Sequence, residues 1–276
     1  MEFPKPHIHH PHAPNTHTHT VILLHGRGSD GPEFAEELFS SSTSRGQDLP
    51  SCLPSYRWVF PTSRDRWNTA FEEETCAWFD AYSLSNIDER QELQKDGIRE
   101  SVLHVLDILE DEARLLDGQF SHIYLGGMSQ GMATSIWAFL AATATGRIQG
   151  RLGGLLGFCG WLPFAQQLEQ LLSGPSITPG SSQIQSLISG FFFDEIAGEI
   201  SHSDQPVDSV ILSTPVFLSH GSDDPWVPVE LGRQACQVLR RIVVRVDWQE
   251  FTGAEGDGHW VKEPEGFDQI LQFLKN

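Results

Sequence analysis

A serine, two aspartates and a histidine carry the strongest chemical signal in this chain of 276 residues. Ser129 lies in Gly127-Met128-Ser129-Gln130-Gly131, a Gly-x-Ser-x-Gly pattern. An apolar run at 122–125 before it reads as a strand, and residues 130–142 after it read as a helix. Strand, tight turn, serine and helix in that order form the setting of a nucleophile elbow. Glycines flank such a serine because neighbouring backbones come too close for a β-carbon. The helix N-terminus then favours negative charge developing beside the hydroxyl. The competing reading of the pentapeptide is a glycine-rich turn whose serine caps the helix.

A serine hydroxyl attacks a carbonyl only when a base takes its proton, and the base must be oriented by an acid. Asp223 and Asp224 follow an apolar run at 216–219, and His259 lies in a loop at 253–260 after the last expected strand. Serine, then aspartate, then histidine is the chain order of the α/β-hydrolases. His104, His122, His202 and His220 compete with His259. His104 falls on a helix, His122 opens the elbow strand, His202 lies in an irregular segment, and His220 reads as the brace of a His-Gly turn. Gly256 and Gly258 flank His259, as a tightly turned catalytic loop requires. Two backbone N–H groups must meet the oxyanion. Gln130 supplies one, as the residue after the nucleophile. Arg27 supplies the other through its main chain, in the loop His25-Gly26-Arg27-Gly28.

The elements that position these groups alternate between strand and helix. Strands are expected at 20–24, 56–60, 152–158, 216–219 and 242–251, besides the elbow strand. Ile98, Val102, Val105, Leu106, Leu109, Ala113 and Leu116 recur at helical spacing over 96–116. Phe267, Ile270, Leu271 and Leu274 mark a C-terminal helix. The alternation implies a mostly parallel sheet with helices on both faces, with function at the carboxyl ends of the strands. Residues 18–276 read as one domain. Within it, 164–209 form an insertion or cap, with helical pieces at 164–172 and 183–200 around a Gly/Pro/Ser-rich stretch. A cap over the site is the preferred reading, since the segment leaves the sheet edge that carries the chemistry. Residues 1–17, rich in proline and histidine, read as a disordered or extended arm. Their histidines read as adventitious metal binders, with no defined metal site.

Thirty-seven acidic against 18 basic residues give a formal charge of −19, which argues against nucleic acid or an anionic membrane as a partner. Cys52, Cys76, Cys159 and Cys236 show neither zinc-ligand nor Cys-x-x-Cys spacing, so reduced structural thiols are expected. There is no run of membrane-spanning length and no visible secretory signal, so a cytoplasmic protein without stable membrane insertion is expected.

Further segments bring a resemblance into view. They are Leu24-His25-Gly26-Arg27-Gly28-Ser29-Asp30-Gly31, Phe60-Pro61-Thr62-Ser63, Trp78-Phe79-Asp80, Gly160-Trp161-Leu162-Pro163, His220-Gly221-Ser222-Asp223-Asp224-Pro225-Trp226-Val227-Pro228 and Gly258-His259. With the elbow, and in this order, they resemble the acyl-protein thioesterase/carboxylesterase (phospholipase/carboxylesterase) family of α/β-hydrolases over residues 20–275. The resemblance implies the α/β-hydrolase fold and selects Asp224, which directly precedes the proline, as the acid. It implies cleavage of thioesters of acylated proteins, lysophospholipids or simple carboxylic esters, with no cofactor.

Three features depart from the family. Arg27 stands where an apolar residue is usual, the 163–209 excursion is long, and 64–74 carries Trp67 and three consecutive glutamates. Trp67, Trp78, Trp161 and Trp260 are candidates for the pocket wall, with core packing as the other reading. The expected protein is a serine hydrolase, monomeric or homodimeric, with Ser129, Asp224 and His259 as triad. The rivals are an acyltransferase or biosynthetic enzyme using the same triad, a non-enzymatic ligand-binding module and, last, a metal-dependent hydrolase using the histidine arm.

Overall fold

The computed structural model describes residues 2–174, 178–198 and 209–276. Nine strands and eight α-helices appear among them: β1 His7–His9, β2 His19–Leu24, α1 Gly31–Ser40, α2 Leu49–Cys52, β3 Tyr56–Phe60, β4 Arg64–Asn68, β5 Glu73–Ala77, α3 Gln94–Leu115, β6 Ile123–Met128, α4 Gln130–Thr145, β7 Gly154–Phe158, α5 Ala165–Leu171, α6 Ser182–Phe192, β8 Val216–Gly221, α7 Val229–Ile242, β9 Val246–Phe251 and α8 Glu265–Leu274. The main sheet has seven strands in the order β1-β3-β2-β6-β7-β8-β9. Within it only β1 runs antiparallel to its neighbour; every other pairing is parallel. This is the α/β-hydrolase fold.

The period-two alternation of a strand sorts its side chains into two cores. Ile22, Leu24, Ile123, Leu125, Leu155 and Leu218 join the layer that contains α3, α4 and α7. Val21, Leu23, Tyr124, Leu156 and Phe217 join the layer that contains α1 and α8. Strands covered on both faces read as unbroken apolar runs, and every residue of β6, β7 and β8 is buried.

The histidine arm supplies an edge strand, with Ile8 opposite Val59 in the β1–β3 register. Residues 64–77 form a second, two-stranded sheet of β4 and β5, separate from the main one. The expected late strand at 242–251 begins only at Val246, because α7 runs to Ile242.

No described residue of the 164–209 insertion lines the cavity beside Ser129. The insertion's helix α6 packs against α4, and the one-turn helix Phe193–Ala197 that follows packs against α3. The reason lies in α4, every residue of which is buried, so that its outer face needs a cover. Trp137 on α4 stacks with Phe191 at 6.0 Å and Phe192 at 6.5 Å between ring centroids, and meets Phe164 edge-on. The three-phenylalanine run thus finds its use in the core. The expected helix end at 200 and the candidate His202 lie outside the described residues. Among the described residues, no helix is long and apolar enough to cross a membrane.

Candidate active site

Ser129 stands at the carboxyl end of the central strand β6, between that strand and α4. Its φ of 55° and ψ of −117° fall where a side chain is strained. Its amide donates to Phe158 O at 2.8 Å, which locks the turn to β7. The surrounding glycines are sterically required. A β-carbon at Gly131 would fall 2.1 Å from Leu24 O, and one at Gly127 would fall 2.5 Å from the Gly131 carbonyl carbon. Gly131→Ala is therefore expected to destabilise the fold by about 1–3 kcal/mol, as overpacked cores do. A urea-unfolding midpoint equal to that of the unmodified chain would contradict this geometry.

The loop after β2 faces the elbow. Gly26 lies against Ser129, so close that a β-carbon on Gly26 would meet Ser129 Cβ at van der Waals distance, 3.5 Å. His25 is fully buried and fixes the loop with both ring nitrogens. Nδ1 donates to Gly26 O at 2.6 Å, and Nε2 accepts from the Ser63 amide at 3.0 Å. Burial lowers the His25 pKa, with the Gly26 carbonyl opposing in part, which agrees with an unprotonated Nε2. Arg27 turns its guanidinium over the Phe71 ring, 4.8 Å from the centroid. Asp80 and Glu73 lie near enough to act on its charge. The Gln130 side chain is tied to the 78–79 segment, accepting from the Trp78 amide at 2.9 Å and donating to Phe79 O at 2.7 Å.

Asp224 and His259 are joined. Nδ1 of His259 donates to Asp224 Oδ2 at 2.6 Å. The other carboxylate oxygen accepts from the amides of Trp226 at 2.9 Å and Val227 at 3.0 Å. Burial alone would raise the Asp224 pKa. The nearby His220 Nε2–H and the hydrogen bonds from His259 and the Val227 amide outweigh it and hold the carboxyl well below the usual carboxylate range. Asp223 does a different job, accepting from the Gly253 amide at 2.7 Å and bracing the histidine loop. Gly221 lets the two loops meet, since a β-carbon there would fall 2.2 Å from Gly258 O.

Ser129, His259, Arg27 and Gln130 line one cavity of about 320 Å³, together with Trp161, Trp226 and Trp260. Of the two hydrogen bonds a serine triad uses, the structure forms the one between His259 and Asp224; Ser129 and His259 share the cavity wall without one. Catalytic hydrogen bonds are often long in unliganded enzymes and tighten when substrate binds.

Two of the four candidate tryptophans reach this cavity and two do not. Trp78 is fully buried, with Nε1 donating to His25 O at 2.9 Å, so it props the loop after β2 from behind. Trp67 is 56% exposed on β4 and is absent from the cavity wall, because the β4–β5 hairpin carries it outward. Trp226 and Glu37 line the cavity although the sequence pattern did not single them out. Trp226 could have been found from its place beside the Asp224-Pro225 turn. Glu37 lies on α1, whose Asp30 cap and helically spaced Phe34, Ala35 and Leu38 are the signal that could have found it.

One group of potential metal ligands occurs among the described residues, with Cys159 Sγ, an Asp224 oxygen and a His259 nitrogen within 4.8 Å of one another. Burial pushes the Cys159 thiol up to about 12. Sγ points to Gly258 O at 3.9 Å and Trp260 O at 3.7 Å. The thiol is thus engaged with main-chain carbonyls, and the Asp224 and His259 atoms with each other.

A mostly parallel sheet with a strained serine after its central strand and an aspartate–histidine pair at the same end defines an α/β-hydrolase. The phospholipase/carboxylesterase family model matches residues 5–179, and the chain belongs to that family. It is 30% identical over 261 residues to the acyl-protein thioesterase 1 of Schizosaccharomyces pombe, covering 94% of this chain and 91% of that one. It is 27% identical over 268 residues to the acyl-protein thioesterase 1 of Gibberella zeae, covering 95% and 92%. The crystal structure of Zea mays acyl-protein thioesterase 2 superposes with a TM-score of 0.66 at 22% identity, covering 98% of this chain and 97% of that one.

Proposed function

We propose that this chain hydrolyses carboxylic esters or thioesters through an acyl-enzyme. Ser129 attacks the carbonyl while Nε2 of His259 takes the hydroxyl proton. Asp224 holds the imidazole with Nδ1 protonated and stabilises the imidazolium that forms. The main-chain amides of Arg27 and Gln130 receive the oxyanion. His259 returns the proton to the leaving alcohol or thiol, and water then releases the acid. The observation that carries this reading is the 2.6 Å bond between His259 and Asp224 on a cavity that also holds the strained Ser129.

Trp161, Trp260, Leu84 and Ala81 offer the acyl group an apolar surface, while Arg27 and Glu37 give the cavity polar edges. The names of the relatives favour a thioester among the substrates. Hydrolysis is favoured over acyl transfer by two features. The His259 side chain keeps 20% of its surface exposed, so water reaches it. The insertion, which as a cap would have excluded water, packs on α4 in its described part.

The test is a panel of p-nitrophenyl esters and acyl thioesters of increasing chain length, run with and without a competing alcohol or amine. Free acid from at least one class, in amounts the competing nucleophile leaves unchanged, is the expected result. Product carried mainly by the added nucleophile would make the chain a transferase. No turnover across the panel would remove the enzymatic reading in favour of a binding module.

A further inference from the structure

A second histidine touches the acid. His220, at the end of β8, is fully buried. Its Nε2 lies 2.8 Å from Val227 O and 3.3 Å from Asp224 Oδ2. A carbonyl oxygen can only accept, so Nε2 carries the proton and donates it to Val227 O, with Asp224 Oδ2 in close polar contact beside it. The other nitrogen, Nδ1, is buried and has no hydrogen-bond partner among the described residues. It faces α7 at Gly232, where a β-carbon would fall 2.3 Å away. Among the described residues no acceptor there would receive a proton from Nδ1.

We propose that His220 is a positioning residue for the reaction: it fixes the Asp224 carboxylate in the orientation that accepts from His259. The proposal rests on the triad reading above. A carboxylate can rotate about its Cβ–Cγ bond unless both oxygens are engaged. Oδ1 accepts from the amides of Trp226 and Val227 and Oδ2 from His259, while the His220 Nε2–H stands 3.3 Å from Oδ2 and packs its polar edge against it. Of these donors, His259 is the one whose charge changes during turnover, and the two amides hold only the far oxygen. His220 meets Oδ2 from the protein interior, at 3.3 Å. By also binding Val227 O, it ties the 224–227 turn to β8, so that ring, turn and carboxylate form one unit. Gly232 is required by this arrangement, because any larger residue would displace the ring.

The variants are His220→Leu, which removes the donor, and His220→Gln, whose amide can return one near the same place. His220→Leu is expected to lower kcat about 10-fold to 100-fold with KM nearly unchanged, the scale of losing both the bond to Val227 O and the polar contact with the charged carboxylate. His220→Gln is expected to recover most of that loss. Nitrogen NMR on histidine-labelled protein is the companion measurement and needs no turnover, so it stands even if no ester is hydrolysed. It should show His220 protonated on Nε2 and bare on Nδ1. The low-field Nδ1–H signal of His259 should shift in His220→Leu and return in His220→Gln. If His220→Leu does not fold, Gly232→Ala pushes on the ring without removing it and should give the same fall in kcat. A wild-type His220 protonated on Nδ1, an unshifted His259 signal in His220→Leu, or wild-type kcat in whichever variant folds would overturn the proposal.

Discussion

Ser129→Ala is expected to lower kcat by about 10⁴–10⁶ while leaving the fold and KM little changed, the scale set by serine-hydrolase triads. The size follows from what remains. Without the hydroxyl no acyl-enzyme forms, and only oxyanion stabilisation and binding can still assist a direct attack by water. The fold should survive because the elbow is held by other atoms. The residue 129 amide still reaches Phe158 O, and Gly127 and Gly131 still allow the backbones to pass. Steady-state turnover of a p-nitrophenyl ester measures the loss, with circular dichroism confirming structure. Wild-type-like turnover would remove Ser129 from the mechanism.

Asp224→Asn is expected to cost about 10⁴ in kcat, through the wrong histidine tautomer rather than through lost structure. The amides of Trp226 and Val227 hold the position of Oδ1, so an asparagine would place its oxygen there and its NH₂ toward His259. That NH₂ donates, so Nδ1 of His259 must become the acceptor and Nε2 the protonated nitrogen. An Nε2–H cannot take the serine proton. The same substitution should flatten the acid dependence of stability. Asp224 titrates below its ordinary range in the folded chain, so its contribution is full above the unfolded carboxylate pKa and is lost as pH falls toward the folded value. The stability gap between wild type and variant should therefore shrink on acidification. Unfolding curves at several pH values check this, and a gap that widens toward low pH would contradict it.

Much of this site is legible in the chain because backbone geometry dictates it locally. Gly127, Ser129 and Gly131 announce a turn that only glycines permit, and β6 and α4 occupy the places expected on either side. Asp224 and His259 fall in loops at strand ends, and those loops meet where Gly221 gives way to Gly258. Packing between distant segments left weaker traces. Trp78 resembles a pocket residue until its indole is seen behind His25, a relation set by tertiary contact alone. The insertion resembles a cap because nothing local says which segment must cover α4, buried on every side, and that Phe191 and Phe192 do so. His220 reads as a turn brace because its second partner, Asp224, is fixed only when the turn closes. The helix α1, with Phe34 and Glu37 on the cavity wall, is short, and its trace is local: the Asp30 cap and the helical spacing of Phe34, Ala35 and Leu38.

The most direct measurement is mass spectrometry after reaction with a fluorophosphonate. One phosphonyl group on the peptide that contains Ser129 is predicted, with labelling abolished in Ser129→Ala and strongly slowed in Asp224→Asn. An adduct on another residue, or an unlabelled native protein, would contradict the proposal that Ser129 is an activated nucleophile.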